Sequence, residues 1–154
     1  MEIQIVWGTA DGKTSISAFD RALGIAGIHN YNLVMLSSII PLNSKIIEVG
    51  TIKSQENVGD ILRVVLSSIT SKEKGEWIST GLGWAQADEG GVFFEHSTNQ
   101  YANICESEIK EGVKDMMKSR NWNWNTKIKT RIIEHKVKDI GSAVVAAVYG
   151  TQKL

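Results

Sequence analysis

This chain of 154 residues has little of what several protein classes require. A single cysteine, Cys105, excludes an intrachain disulfide and any cysteine-based metal cluster. No apolar run approaches the roughly 20 residues of a membrane span, and the first residues lack the regions of a signal peptide. The 17 basic residues balance the 17 acidic ones, which argues against a nucleic-acid or anionic-membrane surface. We therefore expect a cytoplasmic protein whose partner is a small molecule or another protein.

The histidines do not suggest a metal centre either. His29, His96 and His135 are scattered and show no ligand spacing. His96 follows Glu95 directly, and neighbours in a strand point to opposite faces, which argues against a Ser-His-acid hydrolase. The hydrophobic content of 42% in 154 residues is enough for one globular domain over residues 1–154.

Periodicity predicts strands interspersed with two helices. Apolar residues at helical spacing, Ile16 and Ala26 among them, predict a first helix that begins at Ser15 and ends at Gly27. The same spacing predicts a second helix over 100–119. Residues 8–13 are predicted to be a loop, and the apolar segment 31–36 an internal strand. This order is typical of an α+β fold. The other predicted strands cover residues 2–7, 46–49, 60–69, 76–86, 91–96, 127–137 and 141–149.

Two hydroxyls, Ser37 and Ser38, end the apolar segment, and the only proline, Pro41, stands just beyond. A serine at such a bend can cleave its own chain: the Ser38 hydroxyl attacks the Ser37 carbonyl, and elimination then leaves a dehydroalanine. Water converts that end into a pyruvoyl group. A ketone beside an amide carbonyl forms a Schiff base with an amine and accepts electron density, as pyridoxal phosphate does elsewhere.

The chain carries its own control for this interpretation. Ser67 and Ser68 repeat nearly the same local pattern, but they lack the upstream asparagines and the downstream proline, and they lead into a polar turn. Serine pairs are common at strand ends and turns, so the dipeptide alone is weak support. Only the surrounding sequence separates the two pairs.

That surrounding sequence resembles one family over residues 8–149, with gaps. The chain is similar to the pyruvoyl-dependent arginine decarboxylases in the following segments: Gly8-Thr9-Ala10, Thr14, Ala18-Phe19-Asp20, Ala22-Leu23, Ala26-Gly27-Ile28, Asn30-Tyr31-Asn32-Leu33, Ser37-Ser38-Ile39-Ile40-Pro41, Gly81-Leu82-Gly83-Trp84 and Gly90-Gly91-Val92-Phe93-Phe94-Glu95-His96.

The resemblance implies face-to-face β-sheets flanked by helices, an αββα sandwich. It implies self-cleavage into chains 1–37 and 38–154, with a covalent pyruvoyl group made from Ser38, and conversion of L-arginine to agmatine and CO₂. It also implies a homo-oligomer, a trimer or a dimer of trimers, with active sites between subunits. One departure is visible: the family often carries two prolines at the bend, whereas Leu42 follows Pro41 here, so cleavage is expected to be less constrained.

Two residues are expected to act in the chemistry. Asn32 precedes Ser37 by five residues, and its amide could stabilise the oxyanion of the acyl shift; alone, it is an ordinary turn residue. Glu95 ends an apolar run, and a carboxyl group beside apolar surface tends to stay protonated. It matches the family residue that donates a proton to the substrate's α-carbon. The Glu95→Gln variant is therefore expected to cleave its own chain but to turn over slowly. Without the resemblance, an exposed strand-end glutamate is the simpler interpretation.

Substrate selection is assigned to the first helix. A carboxylate at Asp20 suits the forked donors of a guanidinium, and Asp20 matches the family position that contacts this group, although it could be an ordinary surface charge. By the same resemblance, Leu23, Tyr31 and Ile39 are expected to bind substrate. Two alternatives stay open: a pyruvoyl decarboxylase for another amino acid, and an unprocessed homologue that binds ligand or supports assembly.

Overall fold

The computed structural model describes residues 1–53 and 58–154, and the loop predicted at residues 54–57 lies outside the described residues. The described part forms two helices and nine strands. In chain order these are β1 (Glu2–Gly12), α1 (Ser15–Ala26), β2 (Asn32–Met35), β3 (Ile39–Ile40), β4 (Lys45–Gly50), β5 (Ile61–Ser71), β6 (Trp77–Ala87), β7 (Gly90–Thr98), α2 (Ala102–Lys118), β8 (Lys129–Lys136) and β9 (Ile140–Gln152).

The strands form two sheets that pack face to face. One sheet has the order β2-β5-β9-β1-β4 and the other β3-β7-β6-β8. Helix α1 covers the outer face of the first sheet, and α2 covers the outer face of the second. The expected α+β class and αββα sandwich are therefore confirmed. The core between the sheets includes buried Ile3, Ile5, Val65, Leu82, Trp84, Phe93 and Val145.

Helix α1 begins and ends where the sequence predicts. Thr14 caps its first turn: the Thr14 hydroxyl accepts from the Ser17 amide, and the Ser17 hydroxyl accepts from the Thr14 amide. Gly27 ends it in the left-handed conformation, with a φ of 80°. A Cβ at Gly27 would lie 2.1 Å from the Ile52 carbonyl oxygen, so only glycine fits there. These caps fix where the chain enters β2.

The loop predicted at residues 8–13 is wrong, because β1 continues to Gly12. Cross-strand pairing with β9 extends from Gln4 to Gly12, and it outweighs the turn-forming residues in this segment. Gly8 lies directly beneath α1, where a Cβ would come within 2.3 Å of the Ala22 carbonyl oxygen. The glycines here permit close helix packing instead of a turn.

Two further expectations are wrong. The strand predicted at 31–36 is an edge strand, not an internal one, because β5 is the only described strand that pairs with β2, and Val34 and Met35 are exposed. Helical spacing predicts that Ile16 lies on the apolar face of α1, but Ile16 is 81% exposed, whereas the smaller Ala18 and Ala22 are buried. The small residues let the helix approach the sheet. Strand β3 was not predicted, since two residues carry no periodic signal.

Helix α2 lies on its sheet as its spacing predicts, through buried Cys105, Ile109 and Val113. Gly83 in β6 makes room for it, since a Cβ there would lie 2.4 Å from the Ile109 side chain. Burial raises the pKa of Cys105 to about 11. No helix in the described part of the chain is long and apolar enough to cross a membrane.

Candidate active site

The Ser37–Ser38 peptide lies where the chain crosses from one sheet to the other. On the upstream side, the Leu36 amide donates to the Val64 carbonyl of β5 at 2.8 Å. On the downstream side, the Ser38 carbonyl accepts from the Phe93 amide of β7, also at 2.8 Å. The two sheets thus hold the chain on either side of Ser37, and the crossing is confined to about three residues.

The backbone at Ser38 is strained, because its φ is 69°. A non-glycine residue in this region costs on the order of 1–3 kcal/mol, and such strain is common at functional sites. Glycine would relieve that cost, but it has no hydroxyl. Ser67 and Ser68 instead lie within β5, where both pair regularly with β9. Local geometry therefore separates the two serine pairs as the sequence context did.

The Ser38 hydroxyl donates a hydrogen bond to the carboxylate of Glu95. Ser38 is only 9% exposed, and Glu95 is half-buried on β7, opposite Leu82 of β6. Like Phe93 two residues earlier, Glu95 points between the sheets. The two residues are 57 positions apart in the chain, and the fold brings them into direct contact. A carboxylate there can accept the hydroxyl proton as the oxygen attacks.

Tyr149 is a site residue that no pattern in the sequence indicates. Its hydroxyl donates to the Ile39 carbonyl at 2.8 Å, which holds the backbone immediately after Ser38. Burial, and secondly the nearby Glu95 carboxylate, raise the pKa of Tyr149 well above its usual value, so it stays a donor. The available signal was a polar aromatic residue near the end of the apolar strand β9.

Removing this hydroxyl tests whether Tyr149 positions the crossing. We expect Tyr149→Phe to lower the free energy of unfolding by about 1 kcal/mol, because the Ile39 carbonyl loses its partner. We expect chain cleavage to slow by roughly tenfold, which corresponds to a rise of about 1.4 kcal/mol in the activation free energy when the crossing is less well positioned. Electrophoresis over time measures the cleavage. Tyr101→Phe, at an exposed tyrosine, is the matched control; an unchanged cleavage rate in Tyr149→Phe would contradict this role.

The bend after Ser38 is closed without a second proline. Both the amide and the hydroxyl of Ser44 donate to the Pro41 carbonyl, at 3.2 and 2.6 Å. Asn43 has a φ of 61°, as the third residue of a type II turn requires. Leu42 occupies the second turn position, which proline favours and which most residues accept. Hydrogen bonds from Ser44 thus supply constraint that a second proline would otherwise add.

Asn32 lies at the start of β2 and is held away from the scissile peptide. Its side chain donates to the Gly59 carbonyl at 2.7 Å, and its amide donates to the Asp60 carbonyl at 2.9 Å. Neither Ser37 nor Ser38 is among its hydrogen-bond partners within the described residues. The role expected for Asn32 in the acyl shift stays a prediction.

The residues expected to bind substrate are spread over the molecule. Asp20 is exposed on α1 and lines a cavity of about 450 Å³ together with Arg21, Ile25 and His29. Leu23, on the same helix, is only 7% exposed and packs in the core beneath it. Ser38 is not among the residues that line this cavity, and the Ser38 hydroxyl bonds to Glu95, not to Asp20.

Along the chain, Tyr31 precedes β2 and Ile39 follows it. Tyr31 lines a cavity of about 270 Å³, which Tyr149 also borders. Ile39 begins β3 directly after Ser38 and is 42% exposed. Of the predicted substrate-binding residues, Ile39 is therefore the one beside Ser38 along the chain.

His96 points away from this site, as the alternation along a strand predicts. Its imidazole pairs with Glu108 of α2, on the outer face of the four-stranded sheet. Among the residues that the structure describes, no group of three or more His, Cys, Asp or Glu side chains could hold a metal ion. The chemical groups brought together at the crossing are therefore a hydroxyl, a carboxylate and a phenol.

Known proteins are similar to this sequence over most of its length. Residues 2–154 match a family model described as pyruvoyl-dependent arginine decarboxylase. The chain is 36% identical over 153 residues to the pyruvoyl-dependent arginine decarboxylase of Methanothermobacter thermautotrophicus, covering 97% of this chain and 96% of the relative. The relative from Halobacterium salinarum is 31% identical over 96% of this chain and 93% of its own length. That from Pyrococcus furiosus is 36% identical over 90% and 87%.

All three relatives bear the name of one class of enzyme, a decarboxylase that depends on a pyruvoyl group. The family match covers nearly the whole chain, including the crossing at Ser38 and the strand that carries Glu95. The chain belongs to the pyruvoyl-dependent arginine decarboxylase family.

Proposed function

We propose that this chain cleaves itself between Ser37 and Ser38 and then decarboxylates L-arginine to agmatine and CO₂. The observation that carries the proposal is the Ser38 hydroxyl, which sits on strained backbone with φ of 69° and donates to the Glu95 carboxylate. A nucleophile in contact with a base is the arrangement that acyl transfer requires. Family membership supports the pyruvoyl group and arginine as substrate.

Cleavage follows from the residues at the crossing. Glu95 takes the hydroxyl proton while the Ser38 oxygen attacks the Ser37 carbonyl carbon, and the peptide C–N bond breaks as the ester forms. Loss of the α-proton of residue 38 then breaks its Cβ–O bond, and Ser37 leaves as a new carboxylate. Release of strain at Ser38 favours the forward direction.

The surroundings of residue 38 fit a pyruvoyl group. The Phe93 amide donates to the Ser38 carbonyl and Tyr149 donates to the Ile39 carbonyl, so the backbone stays anchored after cleavage. Such a group supplies a carbonyl that takes the substrate's amine and withdraws electrons from its α-carbon. Glu95 remains next to residue 38 and holds the proton that this carbon receives once CO₂ has left.

Asp20 is proposed to select arginine through its guanidinium. Exposed apolar side chains flank the crossing at Val34, Met35 and Ile39, and Asp20 lies on the other side of the five-stranded sheet. We therefore propose that Asp20 reaches residue 38 from a neighbouring subunit, in a trimer or a dimer of trimers. Sedimentation equilibrium tests the assembly: a trimer or hexamer supports it, and a fully active monomer contradicts it.

Replacing the Asp20 carboxylate tests its role in recognition. We expect Asp20→Asn to cleave normally and to raise KM for arginine about 10- to 100-fold, because hydrogen bonds to a charged group contribute about 1.5–3 kcal/mol. The preference for arginine over citrulline, whose side chain is neutral, should fall as KM for arginine rises. Steady-state CO₂ release measures both. Asp115→Asn, an exposed carboxylate on α2, is the control; the same KM in both variants would remove Asp20 from the site.

Two other functions are separated from this one by simple measurements. A decarboxylase for another amino acid is distinguished by a panel of substrates at equal concentration. A non-catalytic homologue is distinguished by borohydride reduction with arginine present, because only a working carbonyl on chain 38–154 is trapped as an adduct. We further propose a cytoplasmic location, on the strength of the single cysteine.

A further inference from the structure

Beyond the Ser38 crossing, both sheets have an uncovered edge on the same side of the molecule. Strand β2 covers β5 only as far as Val64, and β3 covers β7 only as far as Val92, with Ser38 bonded to Phe93. The space between the two free edges is an open cleft of about 310 Å³. Its lining residues are Leu66, Ser67, Ser68, Glu95, His96 and Ser97. The cleft therefore reaches Glu95 from a side other than that of Ser38.

The floor of this cleft is a connected set of hydroxyl groups. Ser67 and Thr80 lie 2.7 Å apart through their hydroxyl oxygens, and Thr80 and Ser97 are also 2.7 Å apart. Ser67 donates to the His96 carbonyl at 3.0 Å, and Ser97 donates to the Ser68 carbonyl at 2.9 Å. Of these residues, Ser67 and Ser97 line the cleft, and hydroxyls both donate and accept, so this surface can bind water.

The cleft is poorly suited to the substrate itself. Among the described residues that line it, Glu95 is the only carboxylate and none is a lysine or arginine, so an anionic group finds no counter-charge there. Of the same residues, Leu66 alone offers apolar surface, which is too little to hold a hydrocarbon chain. Water is the molecule that these residues accommodate best.

The proposed reaction needs water or a solvent proton at three points. After elimination, the enamine of the dehydroalanine shifts to its imine tautomer, water adds to the C=N carbon of residue 38 and ammonia leaves, which consumes one water for each site formed. In every turnover one water releases the product amine from residue 38. In every turnover Glu95 also gives its proton to carbon, and it must take another from solvent before the next. We propose that the cleft between β5 and β7 is the route by which water and protons reach Glu95 and residue 38, with Ser67 and Ser97 positioning the water; this rests on the proposed function.

Blocking the cleft at Ser97 tests the proposal. In Ser97→Leu, we expect chain cleavage at the normal rate, because the acyl shift and elimination consume no water. Mass spectrometry should show that the nitrogen of residue 38, at the start of chain 38–154, is replaced by the carbonyl oxygen more slowly than in the unchanged chain. With enzyme in excess over arginine, the first release of CO₂ should be normal, whereas kcat under substrate excess should fall at least about tenfold. KM should fall in proportion, so that kcat/KM is unchanged, because the slowed steps follow the release of CO₂. Ser97→Thr, which keeps the hydroxyl, should behave as the unchanged chain.

Thr98→Leu is the matched control, since it adds similar bulk on the opposite face of β7. If Ser97→Leu does not fold, Ser97→Val removes the hydroxyl with less added bulk, and the same measurements are made on that variant. The proposal is overturned if kcat and end-group conversion match the control, if the first release of CO₂ slows as much as later ones, or if KM rises, because the cleft then binds substrate. If the unchanged chain neither splits nor releases CO₂, the proposed function fails instead.

Discussion

A Ser38→Ala variant is expected to stay a single chain of 154 residues and to lose at least about 10³-fold of the decarboxylase activity. The hydroxyl is the attacking nucleophile, and no neighbouring group can replace it, since the carboxylate of Glu95 accepts its proton and forms no bond to Ser37. Without cleavage, no carbonyl forms at residue 38, so binding of arginine leads to no chemistry. Electrophoresis and CO₂ release measure the two losses separately.

The second serine pair supplies the control for this variant. Ser68 is exposed within regular β5, so Ser68→Ala should split and turn over normally. Should Ser38→Ala fold poorly, Ser38→Gly removes the hydroxyl while accepting a φ of 69° without a Cβ penalty. A split chain in either Ser38 variant, or an intact one in Ser68→Ala, would show that another peptide bond is cleaved.

Glu95→Gln is expected to lower kcat by about 10²- to 10⁴-fold, because an amide cannot deliver a proton to the α-carbon. The sequence predicts that this variant still processes. The hydrogen bond from Ser38 adds a second expectation: cleavage reaches completion more slowly, since an amide oxygen accepts the hydrogen bond but does not take the proton. Activity is compared per cleaved chain, so that the two effects are measured apart.

Glu108→Gln is the matched control for this change. Glu108 is a half-exposed carboxylate on α2 that pairs with His96, the residue after Glu95, but on the opposite face of β7. We expect its cleavage and turnover to be normal. Normal turnover by fully cleaved Glu95→Gln would remove Glu95 from the reaction.

Much of the fold was predictable because its elements follow simple periods. The buried stripe of α2 and the caps of α1 lie where spacing and Gly27 predict them. What failed depended on partners distant in the sequence. The extension of β1 through Gly8 to Gly12 exists because β9 pairs with it, and β2 is an edge strand because no second strand in the described residues pairs with it. Neither fact is encoded locally.

The candidate site was predictable in its residues but not in its contacts. Resemblance to the family selected Ser38 and Glu95, whereas the hydrogen bond between them needs the crossing from sheet to sheet. The positive φ at Ser38 could not be foreseen, because serine has no preference for that conformation. Tyr149 was missed because its function depends on a backbone carbonyl 110 residues away, which no motif reports.

Mass spectrometry of the purified protein after incubation shows directly whether the chain cleaves itself between Ser37 and Ser38. We expect two chains, residues 1–37 and residues 38–154, the second beginning with a pyruvoyl group in place of serine. A single intact chain after prolonged incubation would contradict it, and so would a break between Ser67 and Ser68.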